Sequence, residues 1–358
     1  MHELQERFSK LVLAKLRKDL KLKDGVVFNN DYEGSPSAGA VKIPKRDTEV
    51  VVSDYDKANG ITGSTGGTSY ETMNIDKDKA INEIIDGYDA KSVPDGIVAE
   101  RLDSATYAMA LAMDTDGANT LLAGSTPTAV AQLTKDNIYG TIVDVRKAMT
   151  KANIPDDGKR FLLVTPDAAA LILKSPEFIR ASDLGDEVIK NGAIGKIAGF
   201  IVIEWNDSTP GLMMIAGHPR FATRATEFAV PVHIQDLNGS GKYIGASAVQ
   251  GRKVYGHKVL RSVAIRAVYS PTALTVTCAA DSTAGKTVAT VSGNTGSLYY
   301  RVLGNNERAV YGADTTGFTA LTSGTTKIAA SQGDIIEVAE VDSNTKIIAV
   351  GYAAAVVK

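Results

Sequence analysis

Several short clusters in this sequence have residue types and spacings that chemistry uses. Gly239, Gly241 and Lys242 have the core of a phosphate-cradling loop, in which backbone N–H groups and a lysine hold phosphate oxygens. The pattern fails on both sides. Asp236 and Leu237 stand where a leading glycine belongs, and Tyr243 replaces the Ser or Thr that would hold magnesium. It reads as a loop. Gly245-Ala246-Ser247-Ala248-Val249 resembles a turn that exposes a nucleophilic serine, but Val249 fills the place of the second glycine. Asp114 and Asp116 precede Gly117 as the first ligands of a calcium loop do. The third ligand and the distal glutamate are missing, so a helix end is the simpler reading. His2, His218, His233 and His257 are scattered without metal-ligand spacing and read as structural or exposed. Asp156 and Asp157 precede Gly158 in a turn, where aspartate is common because it bonds its own backbone. No nucleophile, base or metal set assembles, so the expectation is no enzyme, no cofactor and no metal.

Composition narrows the remaining classes. The chain has 358 residues, 44% hydrophobic and 22% charged, an ordinary globular balance with room for two or three domains. Lys plus Arg number 39 against 41 Asp plus Glu, a net charge of -2. A protein devoted to nucleic acid is usually basic, so any contact with DNA is expected to be weak and non-specific. Cys278 is the single cysteine, which rules out an internal disulfide and suits a reducing compartment. The start, MHELQERFSK, is charged where a signal peptide needs an apolar core, and no apolar run reaches the ~18 residues of a membrane helix. The expectation is a soluble protein made in a cytoplasm, with no membrane partner.

The elements that must position any site follow from periodicity. Leu4, Phe8, Leu11, Val12 and Leu16 recur at helical spacing, predicting a helix over 3–22 that Gly25 ends. GVVFNNDYEGSPSAGA then reads as an extended arm. VKIPKRDTEVVVSDY and SYETMNIDKDKAINEII are strand-like and flank the Gly-rich KANGITGSTGGTS, predicting a long two-stranded hairpin over 41–85. A lone hairpin is marginal in water, so this one must lean on something, a neighbouring subunit first. Lys42, Lys45 and Arg46 form a basic patch on it beside Asp47 and Glu49, and a solvated strand face is the plain reading.

Pro94 and Asp95 open the clearest helix, over 95–123, with a seam of Val98, Leu102, Ala105, Met109 and Ala112. It would run about 40 Å, a spine rather than an ordinary core helix. A second helix over TKDNIYGTIVDVRKAMTKANI has Thr134 as its cap. RFLLVT is a buried strand, and Thr165-Pro166 opens a third helix. GKIAGFIVIEWND and GLMMIAGHP are further strands, and KVYGHKVLRSVAIRAVY reads as one long closing strand. After Tyr269-Ser270-Pro271-Thr272 the texture changes to about seven short strands separated by turn signals, as in a sandwich. That predicts an immunoglobulin-like domain over 272–358, without the Cys…Trp…Cys hallmark because Trp205 lies elsewhere. Few contacts are expected across the join.

This order of parts resembles the Hong Kong 97-type capsid fold of tailed phages. VKIPKRDTEVVVSDY…GGTSYETMNIDKDKAINEII resembles its E-loop and DGIVAERLDSATYAMALAMDTDGANTLLAG its spine helix. RFLLVTPDAAALILKS, LMMIAGHPRFATRATE and KVYGHKVLRSVAIRAVYS resemble its axial domain. The resemblance covers residues 1–270. It implies an α+β fold of N-terminal helix and arm (1–40), then a capsid body (41–270). Within that body lie an E-loop at about 41–85, a spine helix at about 95–123 and an axial domain at about 160–270, all followed by the all-β sandwich. It also implies a major capsid protein that forms hexamers and pentamers of itself in the virion, with a portal, packaged DNA and synthesis in the host cytoplasm. Only residues 1–40 precede the hairpin, too few for a fused scaffold, so a separate scaffolding protein is implied. Lys42, Lys45, Arg46, Lys57, Gly60, Gly63, Gly66 and Gly67 become candidates for intersubunit contact. A covalent cross-link would need a hairpin lysine such as Lys57 and a matching asparagine, which nothing identifies. An encapsulin-type compartment shell, and a tail tube or adhesion protein with an immunoglobulin-like module, remain open.

Overall fold

The computed structural model describes residues 17–32, 39–45, 49–61, 63, 66–92, 97–176, 195–239, 241–304 and 306–358. Its elements run β1 (Ala40–Lys45), β2 (Ser69–Asn74), β3 (Lys77–Ile85), α1 (Gly87–Ser92), α2 (Ile97–Gly124), β4 (Thr126–Ala129), α3 (Ile138–Lys151), β5 (Phe161–Val164) and α4 (Pro166–Leu173). Then follow β6 (Lys196–Ile197), β7 (Phe200–Glu204), β8 (Leu212–Gly217), β9 (Ala222–Asp236), β10 (Ser247–Val259), β11 (Arg266–Tyr269) and β12 (Thr272–Ala273). The last are β13 (Thr275–Ala280), β14 (Lys286–Ser292), β15 (Ser297–Val302), β16 (Thr319–Leu321), β17 (Lys327–Ala329), β18 (Ile335–Val341) and β19 (Ile347–Ala354). The chain forms two compact units, one from residues 1–124 and 219–261, the other from 125–218 and 262–358.

In the first unit α2 is the spine. Ala105, Met113, Gly117, Ala118 and Leu121 are buried along it, a stripe at steps of four. The stripe departs from the expected seam in its second half, where Met113 is buried and Ala112 only partly so. Strands β3, β10 and β9 form an antiparallel sheet packed on the helix, with β10 central. Gly124 ends the helix against Val259, where an added Cβ would lie 2.5 Å from the valine Cβ.

The segment expected as a loose arm is anchored here instead. Val27 and Phe28 are fully buried, and Asn29 extends the sheet by accepting from Arg224 N at 2.8 Å and donating to Ala222 O at 2.9 Å. Residues 17–22 are not helical; the rest of the expected helix, 3–16, lies outside the described residues. Tertiary bonds to α2 take the place of helical ones: Lys18 O accepts from Tyr107 Oη at 3.0 Å, and Leu22 N donates to Asp114 Oδ1 at 3.0 Å.

The second unit has a six-stranded mixed sheet, ordered β4-β11-β8-β5-β7-β6. The run Phe161–Val164 is wholly buried at its centre, as a continuous apolar strand should be. Thr165 caps α4 by accepting from Ala168 N, with Pro166 at the first helical position. Helix α3 begins later than expected, with Asn137 rather than Thr134 at the cap position. The Asn137 side chain accepts from Thr134 N at 2.7 Å, fixing the preceding residues as a turn.

The expected closing strand over 253–269 is two strands. The ladder of β10 ends at Val259, the next N–H, that of Leu260, bonds Phe221 O, and a 3₁₀ turn at Ser262–Ala264 precedes β11. For the same reason residues 219–261 belong with the spine helix and not with the axial sheet, although the expected axial domain of 160–270 included them.

Beyond β11 a five-stranded sheet (β12-β19-β18-β15-β16) faces a three-stranded one (β13-β14-β17). Ala289, Val291, Leu298, Ile328, Ile336 and Val338 fill the space between them. This is a two-sheet sandwich whose first and last strands pair in parallel.

Candidate assembly surface

The hairpin carries every residue singled out for contact between subunits. Its paired part is short. β1 and β2 run antiparallel from Ala40 opposite Asn74 to Lys45 opposite Ser69. The second arm does not continue as one strand: past Ile75 it separates, and β3 joins β10. The reason is packing. Ile43, Met73 and Ile75 are buried together with Ala225 at the base, and Gly256 lets the backbone approach so closely that a Cβ there would sit 2.3 Å from Asn74 O. Lys258 adds polar anchors, reaching Thr72 O at 2.9 Å and Glu71 Oε1 at 3.2 Å. The base is therefore fixed to the body.

Among the described residues, the rest of the hairpin has no such support. Val50, Val51 and Val52 are 87%, 66% and 94% exposed, and Tyr55, Ile61 and Tyr70 are exposed as well. Burying a valine is worth roughly 1.5 kcal/mol or more, so three adjacent exposed valines forgo several kcal/mol in the isolated subunit. These valines were expected as strand residues, and residues 49–54 form none among the described residues. They are not among the residues expected at a contact, and three adjacent valines without alternation are the signal that could have found them.

Of the contact candidates, Lys42 is exposed and Lys45 half-buried on β1. Arg46 lies outside the described residues. Lys57 is exposed in a tight turn that Asp56 organises. Its carboxylate accepts from Ala58 N at 2.8 Å and Asn59 Nδ2 at 2.5 Å, and these bonds hold it below the usual carboxylate range. Gly60 closes that turn with φ +69, a conformation glycine adopts without strain. Gly63, Gly66 and Gly67 are exposed beyond it. Among the described residues, the turn and the glycines have no apolar anchor to the body.

The near-miss motifs have structural partners. Asp116 accepts from Tyr255 Oη at 2.8 Å, and Asp114 is buried within α2 rather than at a helix end. Asp156 pairs with Arg146, and Asp157 with His218 at 3.0 Å. Ser247 opens β10 in the ladder, and Lys242 lies over the Tyr243 ring. Among the described residues no group of His, Cys, Asp or Glu is placed to hold a metal, and no helix is long and apolar enough to cross a membrane.

The described part of the hairpin thus has a packed base and an exposed valine run. The model of the phage capsid protein family matches residues 83–276, more than half of the sequence, so the chain belongs to that family. Solved structures share the fold. One from Mycobacterium phage Che8 is 24% identical, with TM-score 0.62 over 74% of this chain and 96% of that one. The capsid of cyanophage P-SCSP1u is 14% identical, with TM-score 0.63 over 74% of this chain and 92% of that one. The capsid of Myoviridae phage XM1 is 14% identical, with TM-score 0.53 over 74% and 96%. No curated protein matches the sequence. The chain is a structural protein of the virion, a major capsid protein that assembles with copies of itself, on the Hong Kong 97-type fold.

Proposed function

We propose that this chain is the repeating subunit of an icosahedral phage head, arranged in hexamers and pentamers, and that the hairpin joins each subunit to the next. The observation that carries this is the exposed Val50–Val52 run on a hairpin whose base is packed and whose tip is not. A neighbouring subunit covers the valines, and Lys42, Lys45, Arg46 and Lys57 meet acidic groups there. A separate scaffolding protein guides closure, a portal occupies one vertex, and synthesis takes place in the host cytoplasm. With a net charge of -2, contact with the packaged double-stranded DNA is weak and without sequence preference. Residues 272–358 form an immunoglobulin-like module displayed on the shell.

Co-expression with the scaffold, followed by electron microscopy, tests this reading. Closed icosahedral shells are the expected product. A protein that stays monomeric under all such conditions, or that forms tubes, refutes it.

A further inference from the structure

The five-stranded sheet of the C-terminal sandwich is covered on both faces. Ile336 and Val338 of β18 face the three-stranded sheet. Ala339 and Val341 face the other way, in a cluster with Ala309, Ile347 and Val350, and Phe318 and Tyr352 pack against it. Part of that second cover is the connection from β15 to β16, residues 303–318. Long connections without regular structure of their own are uncommon in compact domains and usually serve a purpose.

This connection is welded to the sandwich. Glu337, fully buried on β18, accepts from Ala309 N at 2.8 Å and from Arg301 Nε at 2.6 Å, and the same Arg301 donates to Glu307 O. Gly312 N donates to Ile347 O at 2.8 Å, and Ile347 N to Ala313 O at 3.0 Å. Its apex turns outward onto the six-stranded sheet. Val310 forms an antiparallel bridge with Ala131, and the Tyr311 ring stacks on Tyr269 with centroids 5.7 Å apart and planes at 18°. Gly211, at φ +71, makes the seat: a Cβ there would lie 2.2 Å from Tyr311 Cε2.

The join itself is closed as well. Ser270 and Pro271 are buried, Ser270 N donates to Gly211 O at 2.8 Å, and Leu133 N donates to Ser270 Oγ at 2.9 Å. A tethered domain shows the opposite, an exposed linker that few contacts cross. The expectation of a sparse join is not met.

We propose that residues 306–318 are a clasp that locks the C-terminal sandwich in one fixed pose on the six-stranded sheet, through Val310 and Tyr311 seated on Ala131, Gly211 and Tyr269. The sandwich is then a brace of the subunit and not a mobile appendage. Its outer surface keeps one orientation, and the closing strand β11 is held from both sides.

Native-state hydrogen exchange on the full, unassembled chain tests the clasp. In the wild type the amides of Leu133, Ser270 and Gly312 should exchange slowly. Tyr311→Ala removes the stacked ring, and these three amides should then exchange roughly two- to tenfold faster, the range an aromatic pair is worth. Leu163 and Val338, in the two sheet cores, should keep their wild-type rates and so exclude general unfolding. Gly211→Ala approaches the same seat from the other side and should loosen the same amides. In the Tyr311→Ala background its added effect should shrink, because the ring it would strike is gone. Wild-type Leu133 and Ser270 amides exchanging as fast as an open loop would overturn the proposal, as would rates in both variants equal to wild type.

Discussion

His257 offers the sharpest test of the packed joint between arm, spine helix and sheet. Its ring sits edge-on to Phe28 at 5.1 Å and to Tyr255 at 5.4 Å, and neither ring nitrogen has a hydrogen-bond partner among the described residues. Burial, then the nearby charge of Arg224 and more weakly Lys77, holds its pKa down at about 4, while Asp116 and Asp24 pull weakly the other way. The ordinary value is near 6.5. Between these values the unfolded chain binds a proton that the folded chain refuses, so the subunit loses stability as pH falls from about 6.5 to about 4. At about 1.4 kcal/mol per unit, the loss from this one group approaches ~3 kcal/mol, with no further loss below the folded value. That is a large part of the 5–15 kcal/mol typical of a domain. Phenylalanine at this position keeps an edge-on ring and cannot titrate. Urea unfolding of the unassembled subunit at several pH values between 7 and 4 should show wild type falling behind His257→Phe by about 3 kcal/mol across the window. Carboxylates that titrate in the same range cancel in the difference. Parallel pH curves for the two proteins would show that the ring is hydrated or compensated, and the argument would fail.

Phe28→Ala should destabilise the subunit by about 3–5 kcal/mol, because the ring is fully buried against Gly117 and Arg224; a small change in the urea midpoint would mean the arm is dispensable to the body. Glu337→Ala should cost about 3–5 kcal/mol by leaving Arg301 and Ala309 N without their carboxylate, read as a drop in the melting temperature of the full chain. Replacing Val50, Val51 and Val52 together with serine should change subunit stability by less than about 0.5 kcal/mol, since all three are exposed, while preventing shell closure as seen by electron microscopy. Normal shells from that triple variant would remove the hairpin from the assembly interface.

Much of the architecture is legible from local pattern alone. The spine helix, the buried strand at Phe161–Val164 and the Thr165-Pro166 helix start each follow from a periodicity or cap that acts within a few residues. The change of texture near residue 271 likewise marks the all-β sandwich, because turn residues and short alternations are local signals. What local pattern does not carry is where a strand changes partners. Strand-favouring residues run on through Lys253–Tyr269, yet the ladder stops at Val259 and resumes in another sheet; likewise Met73 and Ile75 share one packed cluster while the strands on either side of them part. Period-two alternation records which face a side chain takes, not which strand lies beside it.

The same limit governs the arm, the hairpin and the join. Val27 and Phe28 lie in a polar stretch whose composition reads as linker. Only the gap left by Gly117 and the sheet start at Asn29–Thr223 decides that they are core. Val50–Val52 look like a strand, and only the absence of a partner strand among the described residues turns them into an uncovered surface. Tyr269-Ser270-Pro271-Thr272 has the composition of a hinge, and the stacked Tyr311, forty-two residues from Tyr269 along the chain, makes it part of a core. The sequence by itself determined most of the parts and their order, because those rest on short-range periodicity and turn chemistry, and the class of protein followed only from the resemblance of that order to a known family. Only the tertiary structure decided which apolar residues are buried within the subunit and which stay exposed on it, because burial depends on what lies across the gap and not on what lies next in the chain.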